Sequence, residues 1–67
     1  MNKVAYEEKR KEKNIPIRVL CKEMGIDEST YYRKMQKNGD TFTAPELNAI
    51  VRMFDLAPKE AVDMLLS

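Results

Sequence analysis

"CKEMGIDESTYYRKMQ", residues 21–36, sets a single glycine between two short amphipathic runs. Just upstream, Ile17, Leu20, Cys21 and Met24 fall at i, i+3, i+4 and i+7, the buried stripe of a helix covering roughly 16–24. Pro16 presets the backbone of its first turn, and Gly25 stands where a left-handed residue closes a helix without a Cβ clash. Downstream, Asp27 is suited to cap a helix over 28–36 whose apolar pair, Tyr31 and Met35, stands at i,i+4. The stretch therefore reads as helix, sharp turn, helix. A small residue at 21 lets the second helix approach closely, and Tyr31 plugs the angle between the two.

The pattern continues outward on both sides. A first helical run covers residues 2–13, with Val4, Ala5 and Tyr6 near its start and a charged remainder, "EEKRKEK", that offers i,i+4 ion pairs. Asn14 and Ile15 break it. After the third helix, "QKNGDTF" reads as a loop, because Asn38-Gly39 tolerates positive φ. Thr43 and Glu46 form a T-x-x-E capping box that opens a fourth helix at about 44–55, with Leu47, Ile50, Val51 and Phe54 as its expected stripe. Pro58 starts a fifth helix over 58–66 carrying Ala61, Val62, Leu65 and Leu66, one face of which covers the core while Met64 or Leu66 is left outward. No segment alternates apolar and polar residues as a half-buried strand would. The expected fold is all-α: five short helices in one domain spanning residues 1–67.

Composition narrows the chemistry. Cys21 is the only cysteine among 67 residues and there is no histidine, so neither an internal disulfide nor a tetrahedral zinc site is available. Acid–base catalysis near neutral pH lacks its usual residue, and no glycine-rich phosphate loop is present. Cys21 lies on an apolar stripe and reads as a packed small hydrophobe rather than a nucleophile. We expect no enzyme, no metal, no cofactor and no small-molecule ligand. No stretch approaches the ~20 apolar residues of a membrane span, and nothing resembles a signal peptide, so a cytoplasmic protein is expected. The net charge of +1 conceals an asymmetry: residues 1–37 hold ten of the twelve Lys/Arg and six of the eleven Asp/Glu. A basic face for nucleic acid beside an acidic remainder is compatible with that distribution, as is a merely solvated first helix.

The order "L-C-x-x-M-G-I-D-x-S-T-Y", residues 20–31, resembles the helix-turn-helix of the Cro and phage-repressor family, and the likeness extends along the chain. A charged helix precedes it, and "FTAPELNAIVRMFDLAPKEAVDMLL" looks like the family's last two helices. "STYYRKM" looks like the recognition helix of small Cro-like regulators of phage or prophage. The resemblance implies a lambda-repressor-like domain, with the helix-turn-helix at about 16–36, acting as an operator-binding transcriptional repressor in a bacterial host. In that family the outward face of the third helix reads bases in the major groove. The corresponding positions here are Asp27, Glu28, Ser29, Tyr32, Arg33 and Gln36. An arginine bonding guanine bidentately discriminates by ~1–3 kcal/mol, Gln36 suits adenine, and Tyr32 suits a thymine methyl or a phosphate. Glu28 either accepts from cytosine N4 or repels the backbone.

Phosphates are expected at Arg18, Lys34, Lys37, Asn38, the Gly39 amide, Thr41 and Thr43, which match the places where the family grips the strand. Ile17 stands where the family often has glutamine, and Pro16 where a Ser or Thr cap is usual. Arg10 matches an arginine often paired with a glutamate late in the recognition helix. Met35 occupies that place, so Arg10 needs another partner or lies exposed. The expected partners are double-stranded DNA and a second copy of the chain, in a weak homodimer formed near the C-terminus or assembled on DNA. The competing reading keeps the fold but binds another regulator, as an antirepressor does.

Overall fold

The computed structural model describes residues 1–66 and is all-helical, with five helices and no strand among them. They are α1 (Lys3–Glu12), α2 (Ile17–Met24), α3 (Glu28–Gln36), α4 (Ala44–Phe54) and α5 (Pro58–Leu65). No helix is long and apolar enough to cross a membrane. Each start has a local cause. Asn2 caps α1 by accepting from the Ala5 N–H at 3.1 Å, and Asp27 caps α3 by accepting from Thr30 at 2.7 Å. The capping box of α4 is complete: Thr43 Oγ1 accepts from the Glu46 N–H, and Glu46 Oε1 accepts from the Thr43 N–H. Pro58 opens α5, and Glu60 accepts from the Ala57 N–H.

The ends are uniform. α1 to α4 each finish on a residue in the left-handed region: Asn14 (φ 56°), Gly25 (φ 76°), Asn38 (φ 57°) and Asp55 (φ 53°). In every case the next N–H bonds back across six residues: Ile15 to Arg10, Ile26 to Cys21, Gly39 to Lys34 and Leu56 to Val51, at 2.9–3.1 Å. The left-handed residue's own N–H closes the inner bond, to Lys11, Lys22, Met35 and Arg52 respectively. This double closure satisfies carbonyls that a helix end would otherwise leave open.

α2 packs on α3 and α4, while α1 lies against α5. The core holds Tyr6, Ile15, Leu20, Cys21, Met24, Tyr31, Phe42, Ala49, Ile50, Phe54, Leu56 and Met64. Burial, with the nearby charges of Glu28 and Asp27, pushes the Cys21 thiol up from its ordinary value. Tyr6 and Tyr31 are fully buried, and their hydroxyls share a hydrogen bond of 2.7 Å that joins α1 to α3. Each supplies the other's buried hydroxyl with a partner, as burial requires. Tyr6 also tilts against Phe54 at 5.1 Å between centroids, and Tyr31 against Phe42 at 6.1 Å.

One expectation is corrected and two are sharpened. The stripe of α4 is rotated: Glu46, Ala49, Ile50 and Phe54 are buried, whereas Leu47 and Val51 are only half-buried, because α4 turns its small Ala49 into the core. On α5, Met64 is buried with Ala61 and Leu65 beside it at i−3 and i+1, so of Met64 and Leu66 it is Leu66, just past the helix end, that is left outward at 70%, with Val62 exposed at 54%. The loop after α3 is more than a connection, since Phe42 enters the core from it. Arg10 has found a partner within its own helix: its guanidinium meets Glu7 at 2.7 Å and donates to the Ile15 carbonyl at 3.0 Å.

The tyrosine pair generates a test. Tyr6→Phe or Tyr31→Phe alone leaves one buried hydroxyl unsatisfied and should cost about 1–3 kcal/mol in urea unfolding. The double variant should cost less than the sum of the two, because both polar groups are then gone. Additive losses would mean that the two hydroxyls do not depend on each other.

Candidate nucleic-acid interface

The site is built from the outward face of α3 and the loop that follows it. With Tyr31 fully buried and Met35 half-buried on the inner side, Glu28, Ser29, Tyr32, Arg33 and Gln36 all stand exposed on the outer one. Tyr32 is half out of solvent, its ring edge-on to Tyr31 at 5.6 Å and 78°, so the buried ring braces the exposed one. Arg33 donates through Nη2 to the Thr30 hydroxyl at 3.2 Å and forms no ion pair among the described residues. Its charge therefore remains available to a partner.

The two acidic residues at the start of α3 differ in employment. The Thr30 side chain and N–H, helped by Ser29, hold the Asp27 carboxyl below its ordinary value, so that charge serves as a cap. The Ser29 hydroxyl is consequently turned toward Asp27, at 3.2 Å. Glu28 is exposed and has no ion-pair partner among the described residues. Exposed Asp40 in the loop is a second carboxylate here with no ion pair among the described residues.

Of the expected phosphate contacts, Arg18 is exposed in the first turn of α2, and Lys37, Asn38, Thr41 and Thr43 are exposed along the loop. Two others are corrected by the geometry. The Gly39 N–H is not turned outward: it donates to the Lys34 carbonyl at 2.9 Å as part of the α3 closure. Gly39 is also packed in, since an added Cβ would lie 2.6 Å from Met1 Cε and 3.1 Å from a Phe42 ring carbon. Lys34 does not reach outward either. Its ammonium sits 2.6 Å from Glu46 Oε1, with both side chains largely removed from solvent, and lies 5.8 Å from the Phe42 ring centroid.

The N-terminus of α4 is correspondingly poor in free donors, because Pro45 has no N–H and the Glu46 N–H is capped by Thr43. What remains outward is Glu28, Ser29, Tyr32, Arg33 and Gln36 on the helix, Lys37, Asn38, Asp40, Thr41 and Thr43 along the loop, and Arg18 on α2. Comparison with family models, with curated proteins and with solved structures returns no match to this chain. The site must be read from its own chemistry.

Sequence patterns did not reveal the Lys34–Glu46 pair, which spans twelve residues and three segments. The only signal available was that Glu46, as the third residue of a capped helix, has its carboxylate folded back toward the loop. Burial alone would push the Glu46 carboxyl up; bonds from Lys34 and Thr43 outweigh it and hold the group below its ordinary value. Its folded value thus lies under its unfolded one. The stability it contributes is complete above the ordinary carboxylate range and is lost as pH falls through the folded value. Urea midpoints compared between neutral pH and about pH 2.5 should fall further for the parent than for Glu46→Gln. Parallel acid losses in both proteins would contradict this linkage.

Proposed function

We propose that the protein is a sequence-specific double-stranded DNA-binding regulator, a Cro-type repressor that reads an operator through the major groove with α3. The observation that carries this is the outward face of α3, where an unpaired Arg33 stands between exposed Tyr32 and Gln36. Arginine and glutamine are the side chains whose donors and acceptors match guanine and adenine edges in the major groove. Lys37 and Arg18, exposed and without an ion pair among the described residues, flank that face and are suited to phosphates on either side of the groove. Lys34 and Gly39 support from behind rather than by contact.

The body measures 28 × 23 × 20 Å, shorter than the ~34 Å between half-sites one helical turn apart, so one copy serves one half-site. A second copy is needed for the other. Exposed Val62 on α5 and Leu66 just past its end, at i,i+4, offer an apolar surface to join copies. The antirepressor reading draws its support from Glu28, whose exposed carboxylate would oppose phosphate.

Arg33→Ala should weaken the best duplex by about 1–3 kcal/mol and flatten preference at one base pair, with non-specific binding nearly intact. Lys37→Ala should weaken all duplexes alike and lower the salt slope by about one. Glu28→Gln should relax preference at one position if the carboxylate accepts from cytosine, or raise affinity for every sequence if it only repels. Titrations on a selected and a scrambled duplex at two salt concentrations separate these outcomes. Absence of any sequence preference in the parent protein at physiological salt would retire the repressor reading in favour of the protein-binding one.

Assembly is checked by sedimentation with and without a palindromic duplex. Two copies per duplex are expected, with the second weakened by Val62→Asp. One copy per duplex at saturation would remove the dimer.

A further inference from the structure

We infer that Lys34 is a positioning residue: with Glu46 it forms a clamp that holds the 37–43 loop in the shape that presents Lys37 and Thr41 to the DNA backbone. The inference rests on the DNA-reading function proposed above and assigns Lys34 a different task from the phosphate contact its sequence position suggests.

Lys34 holds the loop at both ends. Its backbone carbonyl accepts from the Gly39 N–H at 2.9 Å, which closes the α3 end. Its ammonium meets Glu46 Oε1 at 2.6 Å, and that same oxygen accepts from the Thr43 N–H at 2.9 Å where α4 begins. Between those anchors the chain turns through Asn38 and Gly39 at positive φ and drops Phe42 into the core beneath the ammonium. Lys34 is thus tied to both ends of the segment that carries the loop's exposed cation. Its charge has a second effect. Glu46 is buried directly behind the loop, and without Lys34 an unbalanced carboxylate would face an approaching phosphate.

A direct contact and a clamp predict different behaviour. Lys34→Met leaves the buried carboxylate unpaired, so binding to selected and scrambled duplexes should weaken together by about tenfold or more. Adding Glu46→Gln removes that carboxylate while keeping an acceptor for the Thr43 N–H, since glutamine serves the third position of a capping box. The clamp predicts that Lys34→Met/Glu46→Gln returns to within about threefold of the parent with the parent's salt slope. A direct phosphate contact predicts that the double variant stays weak, with the slope reduced by about 0.9.

A double variant that remains weak overturns the inference whatever its slope, as does a single variant with parental affinity. If Lys34→Met fails to fold, the double variant alone decides by the same criterion. Amide exchange at Thr43 supplies a reading that needs no DNA: protection should fall in the single variant and recover in the double. Unchanged protection in Lys34→Met overturns the clamp even if DNA binding is intact. A parent that binds no duplex, with Thr43 behaving as expected, would refute the DNA reading while leaving the clamp in place.

Discussion

The hydrogen bond between the Tyr6 and Tyr31 hydroxyls fixes how α3 is rolled about its own axis. Apolar contacts are non-directional and tolerate rotation by many degrees, whereas a buried hydroxyl must find its partner in one orientation. With Tyr31 held inward by Tyr6, the residues one and two positions away are turned out, and these include Tyr32 and Arg33. The bond also completes a chain of rings from Phe54 on α4 through Tyr6 on α1 and Tyr31 on α3 to Phe42 in the loop. Desolvation, followed by the interaction with Tyr31, pushes the Tyr6 hydroxyl far above its ordinary value, so this link stays neutral throughout the physiological range.

Charge is organised around the same frame. Lys9 pairs with Glu60 across α1 and α5, Arg10 with Glu7, Lys34 with Glu46, and Arg52 with Glu23. The exposed pairs contribute little to stability. They nevertheless sort the cations into those engaged within the fold and those without an ion pair among the described residues, and Arg18, Arg33 and Lys37 belong to the second group. Along α3 and its loop the three cations Arg33, Lys34 and Lys37 are matched by Asp27, Glu28 and Asp40, so any positive field there is set by where the charges point rather than by their number.

The helix boundaries were legible because their causes are local. Gly25, the Thr43/Glu46 box, Asp27 and Pro58 each act within a turn of where they stand, and the elements they delimit match the structure to a residue or two. The outward set on α3 was legible by spacing alone once Tyr31 was placed inside. What escaped was long-range: Tyr6 meeting Tyr31 across twenty-five residues, Lys34 reaching Glu46, and which of Met64 and Leu66 is the one left outward. α5 offers nearly equivalent apolar choices around its circumference, so only its neighbour α1 decides which are covered. There the Asn2 N–H, bonded to the Met64 carbonyl at 2.7 Å, sets the contact.

The repeated closure at the ends of α1 to α4 bears on how quickly the chain can reach its fold. Each turn is completed within six residues, so no helix has to wait for a remote segment before its boundary is defined. Three of the four left-handed positions are Asn or Asp, which enter that region less freely than glycine but supply it without glycine's extra entropy in the unfolded chain. Search is then confined to docking preformed turns, and a topology of such local character folds on the microsecond-to-millisecond scale. A short chain that can be remade so fast spends little time with its apolar surfaces open to aggregation.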